Sequence, residues 1–150
     1  MVRPAYELLG TQGARLHGGR WNPPGVAALY CALATATVRA EWARMMERQG
    51  LPESGAYPLR LGQIAVRART VDLRKAGALE PLGIEEPLSV LTAIEPSRAI
   101  GAAAAKVEVG ALLVPSVTGV GANLVVIADN LESPAEVLEA TTLRGPRAWP

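Results

Sequence analysis

The sequence predicts an α+β fold with a mixed sheet, built as one domain over residues 1–150. Three observations lead there. Helical and strand-like patterns follow one another without a repeating unit, and most strand-like runs come after the one long helical stretch, 35–48. At 150 residues the chain has the length of a single domain able to bury a core. Hydrophobic residues make up 49% and charged residues 19%, the balance of a packed chain rather than a disordered one.

Taken in order, residues 8–25 read as an irregular loop punctuated by Gly10, Gly13, Gly18, Gly19, Pro23, Pro24 and Gly25. Loops of that length inside compact domains are often functional. Residues 26–31 read as a short buried strand. Thr35–Arg48 reads as a helix, with a threonine near its start as cap and Gly50 with Pro52 as stop. Val38, Trp42 and Met45 form an apolar stripe at helical spacing, and Glu41 shares or borders it. An unpaired buried charge is costly, so Glu41 either pairs with an arginine at the stripe's edge or is held there for chemistry. Residues 57–66 and 71–73 read as strands, and Gly62 marks a bulge or a close approach in the first. Residues 73–87 form a polar connection. Residues 88–94 could begin a helix that Pro96, suited to a first helical position, interrupts or restarts, with alanine-rich 97–106 continuing it. Residues 111–117 and 123–128 read as two buried strands joined by a glycine-containing turn over 118–122. The segment after Asp129 shows no periodicity that selects helix or strand.

Composition removes several classes of function. The net charge is +1 and no lysine or arginine block is present, so neither nucleic acid nor an anionic membrane is expected as a direct partner. A single cysteine, Cys31, allows no internal disulfide and fits a reducing compartment. The opening MVRPAYELLG lacks the apolar core of a signal peptide, and the apolar runs 110–117 and 124–128 are far short of a membrane span, so a soluble, cytoplasmic chain is expected. One histidine and one cysteine do not supply a typical zinc site, and no metal is expected. A catalytic triad could draw only on His17, which has no acidic residue near it in sequence.

The densest chemical signal is GARLHGGRWNPPG, residues 13–25. Glycines let backbone approach a ligand closely, and an arginine fork matches phosphate oxygens. Arg20 beside Gly18 and Gly19 could therefore clamp a pyrophosphate, or pair with a carboxylate in a purely structural loop. The stretch lacks the closing Gly-Lys-Ser/Thr of a phosphate-binding P-loop, and the flanking strand and helix of a dinucleotide fingerprint.

This stretch, followed by Tyr30 and Glu41, resembles the signature of the RES-domain family, named for its Arg, Glu and Ser. The segment LLVPSVTGVGANLVVIA, residues 112–128, resembles that family's serine-bearing strand-turn-strand, with Ser116 in place. The resemblance implies an ADP-ribosyltransferase-like fold: a split, mixed β-sheet with flanking helices around an NAD+ cleft. It implies a toxin of a toxin–antitoxin pair that consumes NAD+ as substrate, cleaving the nicotinamide–ribose bond with water or phosphate as acceptor. It implies an Xre-like helix-turn-helix antitoxin as partner, and a homodimer is a further possibility. The chemistry agrees with the residues present. Nicotinamide leaves as a neutral molecule, so no second carboxyl group is needed to protonate it, unlike the leaving oxygen in glycoside hydrolysis. One carboxylate can stabilise the oxocarbenium-like ribose or orient the acceptor.

On that resemblance Glu41 is the catalytic carboxylate, and Arg20 contacts the phosphates or ribose of NAD+ with Gly19 beside it. Tyr30 packs near nicotinamide, where its alternative is a strand tyrosine half in the core. Ser116 hydrogen-bonds the dinucleotide or positions Glu41, where its alternative is a strand-end serine satisfying backbone. Arg3 matches an upstream arginine of the family's first strand, and Gly121 and Asn123 shape the turn, with a ligand role as their weaker alternative. Other readings stay open. The same cleft could pass ADP-ribose to a protein side chain, the chain could be a non-catalytic partner-binding module, or the glycine-rich loop could serve ATP or GTP.

Overall fold

The computed structural model describes residues 1–3, 6–75, 77–80 and 94–150. Its elements are helix α1 (Gln12–His17), strand β1 (Ala28–Ala32), helix α2 (Thr35–Arg48), strands β2 (Leu59–Ala65) and β3 (Thr70–Asp72), helix α3 (Ile94–Lys106), and strands β4 (Ala111–Pro115), β5 (Ala122–Ile127) and β6 (Glu136–Leu143). The strands form two sheets. One has four strands in the order β1-β5-β4-β3, and the other pairs β2 with β6. Among the described residues only the β3–β4 ladder is parallel, so the larger sheet is mixed. The α+β class and the split sheet expected from the sequence are both present.

Strand β5 explains where the larger core sits. It lies between β1 and β4, and Val125, Val126 and Ile127 are all buried, the continuous apolar run of a strand covered on both faces. Leu112, Val114, Val125 and Ile127 pack with Trp21 and Leu73 in this core. A smaller core joins Trp42 and Met46 of α2 to Leu59 and Leu143, partners across the β2–β6 ladder. Helix α2 thus fixes the two-stranded sheet, and its position governs the space between the sheets.

Several sequence-based expectations need correction. The 8–25 stretch is not wholly irregular, because residues 12–17 close a short helix. Helix α2 has the expected bounds, but no threonine side chain caps it; Ala34 stands at the N-cap. Thr37 is buried instead, with its Oγ1 where a Cβ on Gly121 would fall, and Gly121 has φ +65°, so the β4–β5 turn needs glycine there on both counts. Pro96 lies inside the first turn of α3 rather than at its first residue. Of the helix start expected at 88–94, Ile94 opens α3 and the rest lies outside the described residues. Near Gly62 both expected features occur: the ladder shifts register between Gln63 and Ile64, and a Cβ on Gly62 would come within 2.8 Å of Leu8. The unassigned segment after Asp129 contains β6, in which only Leu143 is buried. With the rest of that strand exposed, no hydrophobic alternation betrays it. Among the described residues, no helix is long and apolar enough to cross a membrane.

Candidate active site

The motif loop is built around two buried residues that carry no chemistry of their own. Trp21 is sunk in the larger core, and its carbonyl sits where a Cβ on Gly101 would be, so α3 lies directly against the loop. Asn22 is fully buried and works as a knot. Its Nδ2 donates to the carbonyls of Ala14 and Val26, each at 2.9 Å, and more weakly to that of Pro23 at 3.2 Å. Its Oδ1 accepts a 2.7 Å hydrogen bond from the Tyr30 hydroxyl, which in turn accepts one of 2.9 Å from the Trp21 amide. Buried polar groups keep their place when satisfied in this way, and a satisfied network makes one loop conformation unique.

This arrangement decides what three expected site residues do. Gly19 packs against the Tyr30 hydroxyl and Asn22, and its carbonyl accepts a 2.8 Å hydrogen bond from Arg98 Nε. The close approach that glycine permits here is to the protein's own side chains. Tyr30 is 41% exposed, with its hydroxyl tied down in the loop while the residue lines an open recess. Burial raises its pKa above the usual phenol value, against smaller opposing effects of the Trp21 and Asn22 backbone and of Arg98 and Arg20. Arg20, next in the loop, lines a second recess beside Glu41.

Glu41 meets its partners from distant parts of the chain. Its Oε1 accepts hydrogen bonds of 2.7 Å from Ser116 Oγ and 2.7 Å from Asn123 Nδ2. Ser116 is 4% exposed, lies just after β4, and also shares a 2.7 Å hydrogen bond with Thr118 Oγ1. Asn123 comes from β5, opposite Ala32 across the β1–β5 ladder. Of the two readings left open for Glu41, an arginine partner at the stripe's edge finds no support among the described ion pairs. Neutral donors hold the carboxylate instead. They orient it without neutralising it, which leaves its charge for a ligand.

Glu41 stands at the junction of two recesses. The first, about 430 Å³, lies between β1 and β2 and is largely apolar, with Leu29, Tyr30, Val38, Trp42, Met45 and Leu61 among its walls and Asn123 at its edge. Its size and lining suit a flat aromatic ring. Cys31 belongs to the same wall, and burial pushes its thiol up to about 11. The second recess, about 370 Å³, is cationic and includes Arg20, Arg44 and Arg48 with Glu41 and Val117.

Arg3 stands apart. It is exposed, and although its neighbours Met1 and Val2 line the apolar recess, Arg3 is not among the lining residues. Val2 bridges Arg60 of β2 and fixes the chain start beside that strand. Sequence reading gave Asn123 a turn-shaping role first and a ligand role second, and did not single out Asn22, Arg98, Arg44 or Arg48. Arg44 and Arg48 had one visible signal, their spacing of three and seven residues from Glu41 on a predicted helix. Asn123 had none, because its contact with Glu41 exists only once β5 lies between β1 and β4.

A split mixed sheet with a neutral-donor-held carboxylate in its cleft defines the class. The RES domain family model matches residues 3–147, and the chain belongs to the RES-domain family. Among solved structures, the chain is similar to one in the crystal structure of the M. tuberculosis MbcT-MbcA toxin–antitoxin complex, with 27% identity and a TM-score of 0.83 over 97% of this chain and 82% of that one. A search of curated proteins gave no match.

Proposed function

We propose that the protein is a toxin-type enzyme that cleaves the nicotinamide–ribose bond of NAD+ in the cytoplasm. The observation that carries this reading is the Glu41 carboxylate, oriented by Ser116 and Asn123 where an apolar recess meets a cationic one. The apolar recess takes the nicotinamide ring against Tyr30. Loss of nicotinamide breaks its bond to the ribose carbon, and the bonding electrons leave with the ring, which becomes neutral. Positive charge develops on the ribose in that step, and a fixed carboxylate beside it stabilises the transition state more than the ground state. Water or phosphate then bonds to the same carbon, giving ADP-ribose or its 1-phosphate; water sheds a proton in doing so. Arg20 binds the anionic part of the dinucleotide. Similarity to a toxin–antitoxin complex supports the toxin role, and the corresponding partner is an antitoxin with an Xre-like helix-turn-helix region that covers the cleft.

The test is to incubate the purified, antitoxin-free protein with NAD+, with and without phosphate, and to follow nicotinamide release beside Glu41→Gln. Release that requires Glu41 supports the reading, and the phosphate dependence identifies the acceptor. Labelled ADP-ribose found on a protein instead would make the chain a transferase. No release and no label under any condition would overturn the enzymatic reading.

A further inference from the structure

We propose that Arg44 and Arg48, together with Arg20, form a phosphate-binding subsite on the side of Glu41 away from the apolar recess. Its role in turnover rests on the NAD+ reading above; its capacity to bind phosphate does not.

Positions 41, 44, 45 and 48 fall on one face of α2, so Glu41, Arg44, Met45 and Arg48 stand in a row along the helix. All four line the cationic recess, and Arg20 reaches it from the motif loop while Val117 closes it from beyond β4. Three arginines therefore line the same recess of about 370 Å³ as one carboxylate, and that carboxylate's Oε1 is already engaged by Ser116 and Asn123. Elsewhere on the surface, four of the described arginines are held by carboxylates. Arg15 meets Asp129, Arg67 meets Glu132, Arg74 meets Asp72, and Arg98 lies near Glu95. Among the described residues, Arg44 and Arg48 form no such pair.

Two arginines one helical turn apart repel each other. The helix C-terminus favours a cation near Arg48, but that does not explain a convergence with Arg20 from a separate loop. A doubly charged oxyanion does fit it, because guanidinium forks match phosphate oxygens and the recess has room for one. The subsite shares Glu41 and Met45 with the apolar recess, so a phosphate group in it lies next to the proposed reacting carbon. That group has two sources of the same chemistry: free orthophosphate acting as acceptor, or the diphosphate of the dinucleotide.

The experiment compares wild type, an R44Q/R48Q variant, and an R67Q/R74Q control with the same charge change at a distance. Binding of inorganic phosphate and of pyrophosphate is titrated by calorimetry. Nicotinamide release is then measured while NAD+ and phosphate are varied separately. Glutamine keeps helix propensity and both arginines are exposed, so the variant is expected to fold, checked by circular dichroism. The subsite predicts at least tenfold weaker anion binding in R44Q/R48Q and wild-type binding in the control. A tenfold rise in KM for phosphate assigns the subsite to the acceptor, and the same rise for NAD+ assigns it to the diphosphate. Equal anion binding by all three proteins, or no binding of either anion by wild type, overturns the subsite. Arginine-dependent binding without nicotinamide release keeps the subsite and removes the NAD+ reading.

Discussion

The motif loop, residues 13–25, and the Glu41 cluster differ in where their information lies. The loop is dense in sequence and holds most of the recognisable pattern, yet its motif residues are largely occupied with one another. Trp21 fills the core, Asn22 ties three carbonyls and a hydroxyl, and Gly19 makes room for Tyr30. The cluster is sparse. Glu41 lies 75 residues from Ser116 and 82 from Asn123, and each of its contacts crosses between elements. A concentrated motif can thus be mainly scaffold that delivers one side chain, Arg20, while the Glu41 carboxylate is held by partners that the sheet brings to it.

The sharpest test of that contrast is Glu41→Gln. The amide oxygen can still accept from Ser116 and Asn123, so the fold should survive with its melting temperature nearly unchanged, while nicotinamide release falls about 1000-fold or more through loss of the charge. Asn22→Ala should do the reverse. It strands buried carbonyls of the loop, with an expected loss of about 3 kcal/mol in denaturant unfolding. If Asn22→Ala unfolds no more easily than wild type, the loop is not a scaffold.

Cys31 probes the wall between the two regions. A folded pKa near 11, raised from 9.0 chiefly by burial, leaves a thiolate fraction about 100-fold smaller than in the unfolded chain at pH 8. Alkylation by iodoacetamide should be slower by about that factor in native protein than in denatured protein. The sign for stability follows: burial of the neutral thiol supports the fold fully below the unfolded value of 9.0, and that contribution is lost as pH rises through about 11. Native alkylation as fast as in urea would mean that the recess is open to water along β1.

Asn123→Ala should cost about tenfold in turnover through a looser carboxylate, with Ser116 still holding it. An unchanged rate would reduce the cluster to Glu41 and Ser116. The smallest effect is expected at the loop's outer edge, where Arg15 pairs with Asp129 at 2.7 Å with both side chains about half exposed. Arg15→Ala should lower stability by less than about 1 kcal/mol, and less still at high salt. A larger loss would extend the scaffold to its rim.

Much of the fold was legible because periodicity is a local property. Helix α2 was read with its observed bounds, and β1, β2, β4 and β5 within a few residues, since each buries an apolar stripe or run that the chain itself displays. Helix α1 was hidden among glycines and prolines, and β6 was hidden because a strand exposed on both faces, with a single buried residue at its end, has no alternation to show. The site divides the same way. Arg20, Tyr30, Glu41 and Ser116 could be named from residue type and order.

The sequence by itself therefore determined the class of fold, the presence of a lone carboxylate on an apolar helix stripe, and the RES-domain signature, because these depend on spacing along the chain. Tertiary structure alone decided which donors hold Glu41, that Gly19 serves Tyr30 and Asn22, that Arg3 stays outside the recess walls, and that Arg44 and Arg48 converge with Arg20. The physical reason is that hydrogen-bond partners and shared cavities are set by strand order and helix placement. Packing of the whole chain fixes those, and no local window of residues contains them.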